Sequence, residues 1–531
     1  MANSCEDCAS TTCAQLHSYV DECKLSDGNP CQECVQMAKL DSQISQVQSQ
    51  LAQLAQKRHA LKTKINQRHE PFIHRLPLEL SSQIFVHYVH QVYSTFDPKE
   101  ASRSSHAKDW SPALFLSSIC STWRKIAFAT PEIWRFIFIP LLGYDPDVDL
   151  KIRLLNDCIS HTGQYTLFIG VFQFQLEPNP LFSRLEEKLD TLVPLFEAIE
   201  AVACRSERLA LWGLPALAMH YIIPDDTPNL REVQIVEAFR YYDDWDRAVW
   251  WDRGSISLAG PLLTNLEFGS NASSLLDCSD IEWNTLTTVT MSAITVTEGF
   301  DILRQAPCLT SCSFVFRSGY DSNPVNPPII HSSLENLEMH SDPRVDFLEI
   351  FANSVTLPSL QELSLQTWTL PNMEPLFERS QCQIRTLTLI LEQVIPEDSV
   401  LKLLNILPSV KHFTLETSNA RKPVITNQFF ESLRDPRFAS SGASAKPPLP
   451  NLSSLSYTAN MDFPWPAFVE IFPPYNDVAH AAGRRPLSKV SLKLKLPKGA
   501  IGDHGVVARL RQIQQSKIEL VVTDLDGKGL F

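Results

Sequence analysis

From Leu40 to Ile65 the apolar positions advance in steps of four and three: Leu40, Ile44, Val47, Leu51, Leu54, then Arg58, Leu61 and Ile65. That spacing is a heptad seam and predicts one long helix over 36–70. Its flanking positions are mostly Gln and Ser, so charge selects no partner at this level. Two readings stand side by side, a weak homodimeric coiled coil and a single helix packed on its own domain. A second pattern opens at Leu76-Pro77-Leu78-Glu79-Leu80. Proline at the first helical position loses no intrahelical hydrogen bond, and Glu79 suits the positive end of a helix. Leu80, Ile84, Phe85, Tyr88 and Val92 then make one apolar face. After a polar insert, roughly 94–109, Ser111-Pro112 repeats the start signal, and Leu116, Ile119, Trp123 and Ala127 mark a second helix. Thr130-Pro131-Glu132 opens a third short turn carrying Ile133 and Trp134.

Further along, a six-residue pattern recurs with apolar residues at its first, fourth and sixth places. It begins at Leu230, Leu263, Leu286, Leu309, Leu334, Leu360, Ile384, Val410, Leu452 and Leu487. From Leu263 to Val410 the starts lie 23, 23, 25, 26, 24 and 26 residues apart, inside the range of leucine-rich repeats. Apolar groups such as Phe347, Leu348 and Phe351, or Val400, Leu401, Leu404 and Leu407, fall between the predicted strands, as a strand-then-helix repeat requires. The Asn or Cys usual further along each repeat is missing, so the solenoid expected over 205–531 is irregular. Residues 141–204 are expected to connect or cap it. Within each strand the alternating residues point away from the core onto a concave face. They include Asn336, Glu338, His340, Glu362, Gln366, His412 and Glu416, a polar, mildly acidic set suited to a protein segment, or equally to plain solvation. Tyr242, Trp245 and Trp250, set among carboxylates in the gap after the first clear repeat, are aromatic enough for an interface or for a cap over the repeat end. Phe463-Pro464-Trp465-Pro466 and Phe472-Pro473-Pro474-Tyr475 carry the same two readings.

The residues of the helical unit resemble the F-box motif, in the form found in large families of mushroom-forming fungi. The likeness covers about 40–140 and rests on Ile73-His74-Arg75-Leu76-Pro77-Leu78-Glu79-Leu80 with Ile84-Phe85, on Ile119-Cys120-Ser121-Thr122-Trp123-Arg124-Lys125-Ile126-Ala127, and on Thr130-Pro131-Glu132-Ile133-Trp134. A heptad helix directly precedes the motif in those families too. The insert before Pro112 departs from the pattern by lengthening a link between helices. Together the repeat pattern and the resemblance imply a fold of α/β class: a leucine-rich-repeat-like solenoid preceded by a small all-α three-helix F-box-like domain over 71–140 and an N-terminal long helix. It implies a non-catalytic substrate receptor of a Skp-cullin-F-box ubiquitin ligase. Leu76, Pro77, Leu80, Ile84 and Phe85 would meet the Skp-type adaptor and the solenoid would hold an unidentified protein target. A ubiquitin-independent scaffold, dimerising through the heptad helix, is the alternative.

Composition narrows the field. The 531 residues hold 60 acids against 46 bases, for a net charge of −14, which repels a phosphate backbone and argues against a nucleic-acid partner. No apolar run reaches membrane-spanning length, and Glu6 and Asp7 stand where a signal peptide would be basic and apolar. The expected location is cytoplasmic, nuclear or both. Cysteine usage agrees, with six of 13 crowded into 1–35 and the rest scattered. That stretch carries six acids against one base and cannot bury a core alone. Cys5-x2-Cys8 and Cys31-x2-Cys34 have the pairing of zinc knuckles, with Cys13, His17 and Cys23 between them, so the segment is either a zinc site or a tail without one. No other cofactor is expected. No Gly-x-Ser-x-Gly elbow, Walker loop, His-Glu-x2-His or dinucleotide fingerprint occurs. Asp145-x-Asp147-x-Asp149 opens like a calcium loop, but Leu150 stands where glycine is needed. The chain is read as no enzyme. His74, His87 and His90 are expected to be ordinary surface residues.

Overall fold

A computed structural model describes residues 31–68, 76–94, 111–142, 147–174, 183–214, 216–236, 256–269, 272–277, 279–317, 328–340, 347–417, 425–433, 448–459, 463–472, 486–495, 504–515, 518–524 and 529. The chain divides into two compact units, Met1–Phe85 and Val86–Phe531, and the division falls inside a helix. In the first unit, α1 (Gln32–Arg68) realises the heptad segment as one uninterrupted 37-residue helix. The Cys31 thiol accepts the Cys34 backbone N–H at 3.4 Å at its start. The second helix, α2 (Leu78–Ser94), follows Pro77, whose carbonyl accepts the Ser81 N–H at 3.1 Å.

In the second unit, the helix expected from Pro112 through Ala127 is two helices. They are α3 (Pro112–Ile119) and α4 (Ser121–Phe128), parted at Cys120, which is fully extended. Cys120 caps α4 by accepting the Trp123 N–H on sulfur at 3.4 Å, and Arg124 ties the pair by donating to the Ser117 carbonyl at 3.0 Å. Of the four residues expected on one helical face, Leu116 and Ala127 are buried, whereas Ile119 is 47% exposed and Trp123 half-buried. Ser111 caps α3 as expected, accepting the Ala113 N–H at 3.2 Å. A 3-10 turn over Pro131–Arg135 buries Ile133 and Trp134 completely, and the Trp134 indole donates to the Ala127 carbonyl at 2.8 Å.

Among the described residues a 14-stranded sheet follows, its strands in chain order and every pairing parallel. The strands are β1 (Phe136–Leu142), β2 (Leu167–Phe174), β3 (Ser206–Trp212), β4 (Glu232–Val236), β5 (Asn265–Phe268), β6 (Thr288–Ile294), β7 (Ser311–Phe316), β8 (Asn336–His340), β9 (Glu362–Thr367), β10 (Thr386–Leu391), β11 (His412–Thr417), β12 (Ser454–Ala459), β13 (Lys489–Leu494) and β14 (Glu519–Thr523). All ten six-residue patterns land on β4–β13. Their fourth and sixth positions pair strand to strand, as Leu337 with Leu363, Leu387 and Phe413, and those side chains are buried. The result is an α/β architecture with one long parallel ladder, compatible with a solenoid-like chain. The ladder begins at Phe136, earlier than the repeating pattern, so β1, β2 and β3 extend the same sheet.

Among the described residues, helices lie in the strand-to-strand crossovers other than those after β4 and β7. The helix Val296–Gln305 is opened by a capping box, with Thr295 and Glu298 each satisfying the other's backbone N–H. Phe351, on the helix Phe347–Ser354, stacks on Phe300 with ring centroids 5.7 Å apart and packs on Phe316 at 6.0 Å. Towards the C-terminal strands, Phe463 and Trp465 are 6% and 7% exposed; Phe463 meets Phe430 and Phe468 edge to face, and Trp465 meets Phe468 in the same way. Of the two readings of the Phe463-Trp465 loop, the structure takes the inward one. The incipient calcium loop is also local structure, because Asp147 caps the helix Val148–His161 by accepting the Leu150 N–H at 2.8 Å.

Candidate functional site

Two surfaces hold the residues singled out from the sequence. On α2, Ser81, Phe85 and Val89 recur every four residues and are at most 1% exposed. Leu80, Ile84 and Tyr88 recur at the same interval one residue earlier, and stand 47%, 48% and 38% exposed. An α-helix turns about 100° per residue, so the two series lie on different sides of it. Phe85, expected at the adaptor surface, is therefore a core residue. Pro77 is exposed, as is Leu78, at 52%, while Leu76 is half-buried. In the second unit, Phe115 and Ile119 of α3 and Phe128 of α4 are 43%, 47% and 44% exposed. The expected face of α3 was drawn through Leu116 and Ile119, and it left out Phe115, the residue before Leu116.

The C-terminal turn of α2 is fastened to the ladder. The Tyr93 ring packs on Phe136, Phe138 and Phe168 at 4.9, 5.8 and 5.4 Å, and burial drives its phenol well above the ordinary tyrosine range. Arg208 lies over the same ring at 5.1 Å and pairs with Glu232 at 2.9 Å. His90 is exposed, as expected, and makes a 3.4 Å contact with Glu132 while meeting Phe136 edge-on. His87 is exposed and His74 lies outside the described residues.

The other surface is the polar face of β8–β11. Register places Asn336, Glu362, Thr386 and His412 in one cross-strand row, Glu338, Ser364, Thr388 and Thr414 in the next, and His340, Gln366, Ile390 and Glu416 in a third. Adjacent strands lie about 4.8 Å apart, so each row spans roughly 14 Å. All seven sheet residues expected to bind a partner are thus brought onto one patch, none of them buried. The imidazole of His340 is 3.0 Å from Glu338, and this hydrogen bond holds the Glu338 carboxyl below its ordinary range. Gln366 donates to Glu392 at 2.6 Å. Next to the patch, on β6 and β7, the register adds Thr288, Thr290, Ser311 and Ser313. Short hydroxyls therefore separate the charged groups. Tyr242, Trp245 and Trp250 lie outside the described residues.

Of the cysteines proposed for zinc, Cys5 and Cys8 lie outside the described residues, as do Cys13, His17 and Cys23, whereas Cys31 and Cys34 flank the start of α1. Among the described residues no group of three or more His, Cys, Asp or Glu is placed to hold a metal ion, and no helix is long and apolar enough to cross a membrane. Burial pushes the thiols of Cys158 and Cys382 up to about 12 and about 11, and that of Cys312 further still. Those thiols stay protonated at neutral pH and are poor nucleophiles. Set beside models of known protein families and beside curated proteins, the chain matches none.

Proposed function

We propose that the chain is a non-catalytic substrate receptor of a Skp-cullin-F-box ubiquitin ligase. In this reading residues 71–140 are the F-box-like domain that docks the Skp-type adaptor, and the parallel ladder is an irregular leucine-rich-repeat solenoid that holds a protein target. The observation that carries it is the division of α2 into a sealed side (Ser81, Phe85, Val89) and an apolar side left open at Leu80 and Ile84. Each fully buried Leu or Ile stabilises an interface by about 1.5–3 kcal/mol, so a helix that leaves such residues half in water is suited to a second polypeptide. Leu78, Pro77 and Tyr88 extend the surface along the helix, whereas Phe85 supports it from beneath.

The receptor performs no bond chemistry. It raises the effective concentration of a target lysine near a ubiquitin-loaded enzyme supplied by other subunits. The target would meet the β8–β11 patch, where Glu338, Glu362 and Glu416 favour a segment carrying Lys or Arg. The working compartment is the cytoplasm, the nucleus or both.

Co-purification of the adaptor with the full chain tests the reading. The Pro77→Ala, Ile84→Lys double variant should lose the adaptor while keeping wild-type far-ultraviolet circular dichroism. Adaptor retained by that variant would overturn the docking assignment. The alternative, a ubiquitin-independent scaffold, predicts that no adaptor accompanies even the wild-type chain.

A further inference from the structure

The seven apolar seam residues of α1 between Leu40 and Ile65 are each 51–66% exposed, over a helix of 37 residues. A helix in a protein draws most of its stability from packing an apolar face, and this face has no cover among the described residues. A seam that repeats every 3.5 residues stays in line only if the helix supercoils about another helix. With Ile44 at heptad position a, Asp41 and Lys62 fall at e, Lys57 at g and Arg58 at a.

Those charges separate the two ways in which a pair of identical helices can lie. Parallel in-register pairing sets Arg58 against Arg58 in the seam and Lys57 against Lys62 twice along its edges. Antiparallel pairing centred between Leu51 and Leu54 sets Leu51 opposite Leu54 of the second copy, Ile44 opposite Leu61 and Ile65 opposite Leu40. Arg58 then faces Val47, so its aliphatic stem covers the seam while its charge reaches water. The same register brings Asp41 of each copy beside Lys62 of the other, two attractive pairs in place of two repulsive ones.

We propose that α1 is a self-association element, and that two copies of the chain pair through it as an antiparallel coiled coil in the register that sets Leu51 against Leu54. The element is separate in sequence from the α2 surface proposed for the adaptor.

The test is the dimer dissociation constant of the full-length protein, read by sedimentation equilibrium for the wild type and two exposed-site variants. Lys62→Asp turns both Asp41–Lys62 pairs repulsive and should weaken the dimer about tenfold. Adding Asp41→Lys to it re-creates the pairs with signs exchanged and should restore the wild-type constant to within about twofold. In a parallel dimer Lys62→Asp instead relieves the clash with Lys57, so a tighter dimer would overturn the proposal. A wild-type chain that stays monomeric up to roughly 100 μM, or a dimer indifferent to both variants, would overturn it equally.

Discussion

Arg135 and Glu207, 72 residues apart in sequence, are joined by a hydrogen-bonded ion pair of 2.7 Å that closes the 3-10 turn onto β3. The same guanidinium donates to the Thr166 carbonyl and hydroxyl at 3.1 and 2.9 Å and lies 4.1 Å over the Phe168 ring. Glu207 also accepts from Thr166 at 2.6 Å. One planar cation therefore holds the last turn of the helical unit, β2 and β3 together. Arg135→Ala removes every one of these partners at a site where the Arg side chain is only 14% exposed. It should cost about 1–3 kcal/mol in chemical denaturation. Arg135→Lys should recover only part of that loss, because an ammonium cannot present the fork or stack on Phe168.

Neighbouring positions on α2 should respond in opposite ways. Ile84→Lys changes an exposed residue and should leave the melting temperature nearly unchanged, since such substitutions usually stay within about 0.5 kcal/mol. If α2 docks an adaptor as proposed, that binding should nevertheless disappear. Phe85→Ala empties a core position and should cost about 3–5 kcal/mol. Adaptor affinity would then fall only through loss of folded protein. Paired thermal melts and binding measurements on folded fractions separate the two effects. Equal destabilisation by both variants would contradict the division of α2 into two sides.

Two carboxyls on one sheet face should respond to pH with opposite sign. Glu338 is held low chiefly by its hydrogen bond from His340. Its contribution to stability is present above the ordinary carboxylate pKa, about 4.3, and is lost as the pH falls through the lowered native value. Glu232 is raised by burial, which the nearby Arg208 offsets only in part. Its ionisation opposes folding, so stability attached to the protonated form is lost as the pH rises through the raised value. Melting curves from pH 3 to pH 7 should show Glu338→Gln flattening the acid-side rise and Glu232→Gln removing a decline at higher pH. Parallel shifts in both variants would refute the assignment.

Parts of the fold were legible in the sequence. The strands β4–β13 were, because each pairs two inward apolar residues with polar neighbours at a fixed offset, and the polar patch from Asn336 to Glu416 followed from the same alternation. The strand β1 was not. Phe136-Ile137-Phe138-Ile139 is apolar at consecutive positions, since Tyr93 covers one side of β1 as the core covers the other, and the period of two vanishes. On α2 the limit was angular. Ile84 and Phe85 are equally apolar neighbours in sequence, and only the packed structure assigns one to the core and the other to water. Cys120 was hidden because Leu116, Ile119, Trp123 and Ala127 keep the apolar spacing of a single longer helix, although Ile119 is 47% exposed.

Gly170 on β2 tests the packing under that joint most directly. A Cβ built there would lie 2.4 Å from Cζ and 2.6 Å from Cε2 of Phe172, and 3.1 Å from Cδ1 of Phe138. Neither ring has room to retreat, because Phe172 is 3% and Phe138 7% exposed, with Tyr93 and Trp212 packed against the pair. Gly170→Ala should therefore destabilise the chain by about 1–3 kcal/mol through overpacking. Gly163 provides the contrast. Its φ of +58° makes alanine there a strained backbone with nothing within 4 Å of the new methyl group, costing roughly 1–2 kcal/mol. Shortening the obstructing ring distinguishes the causes. Phe172→Leu should relieve part of the loss in Gly170→Ala and none of the loss in Gly163→Ala, as read from the coupling in a double-mutant cycle. Equal, additive losses in both combinations would show that Phe172 does not set the requirement for glycine at residue 170.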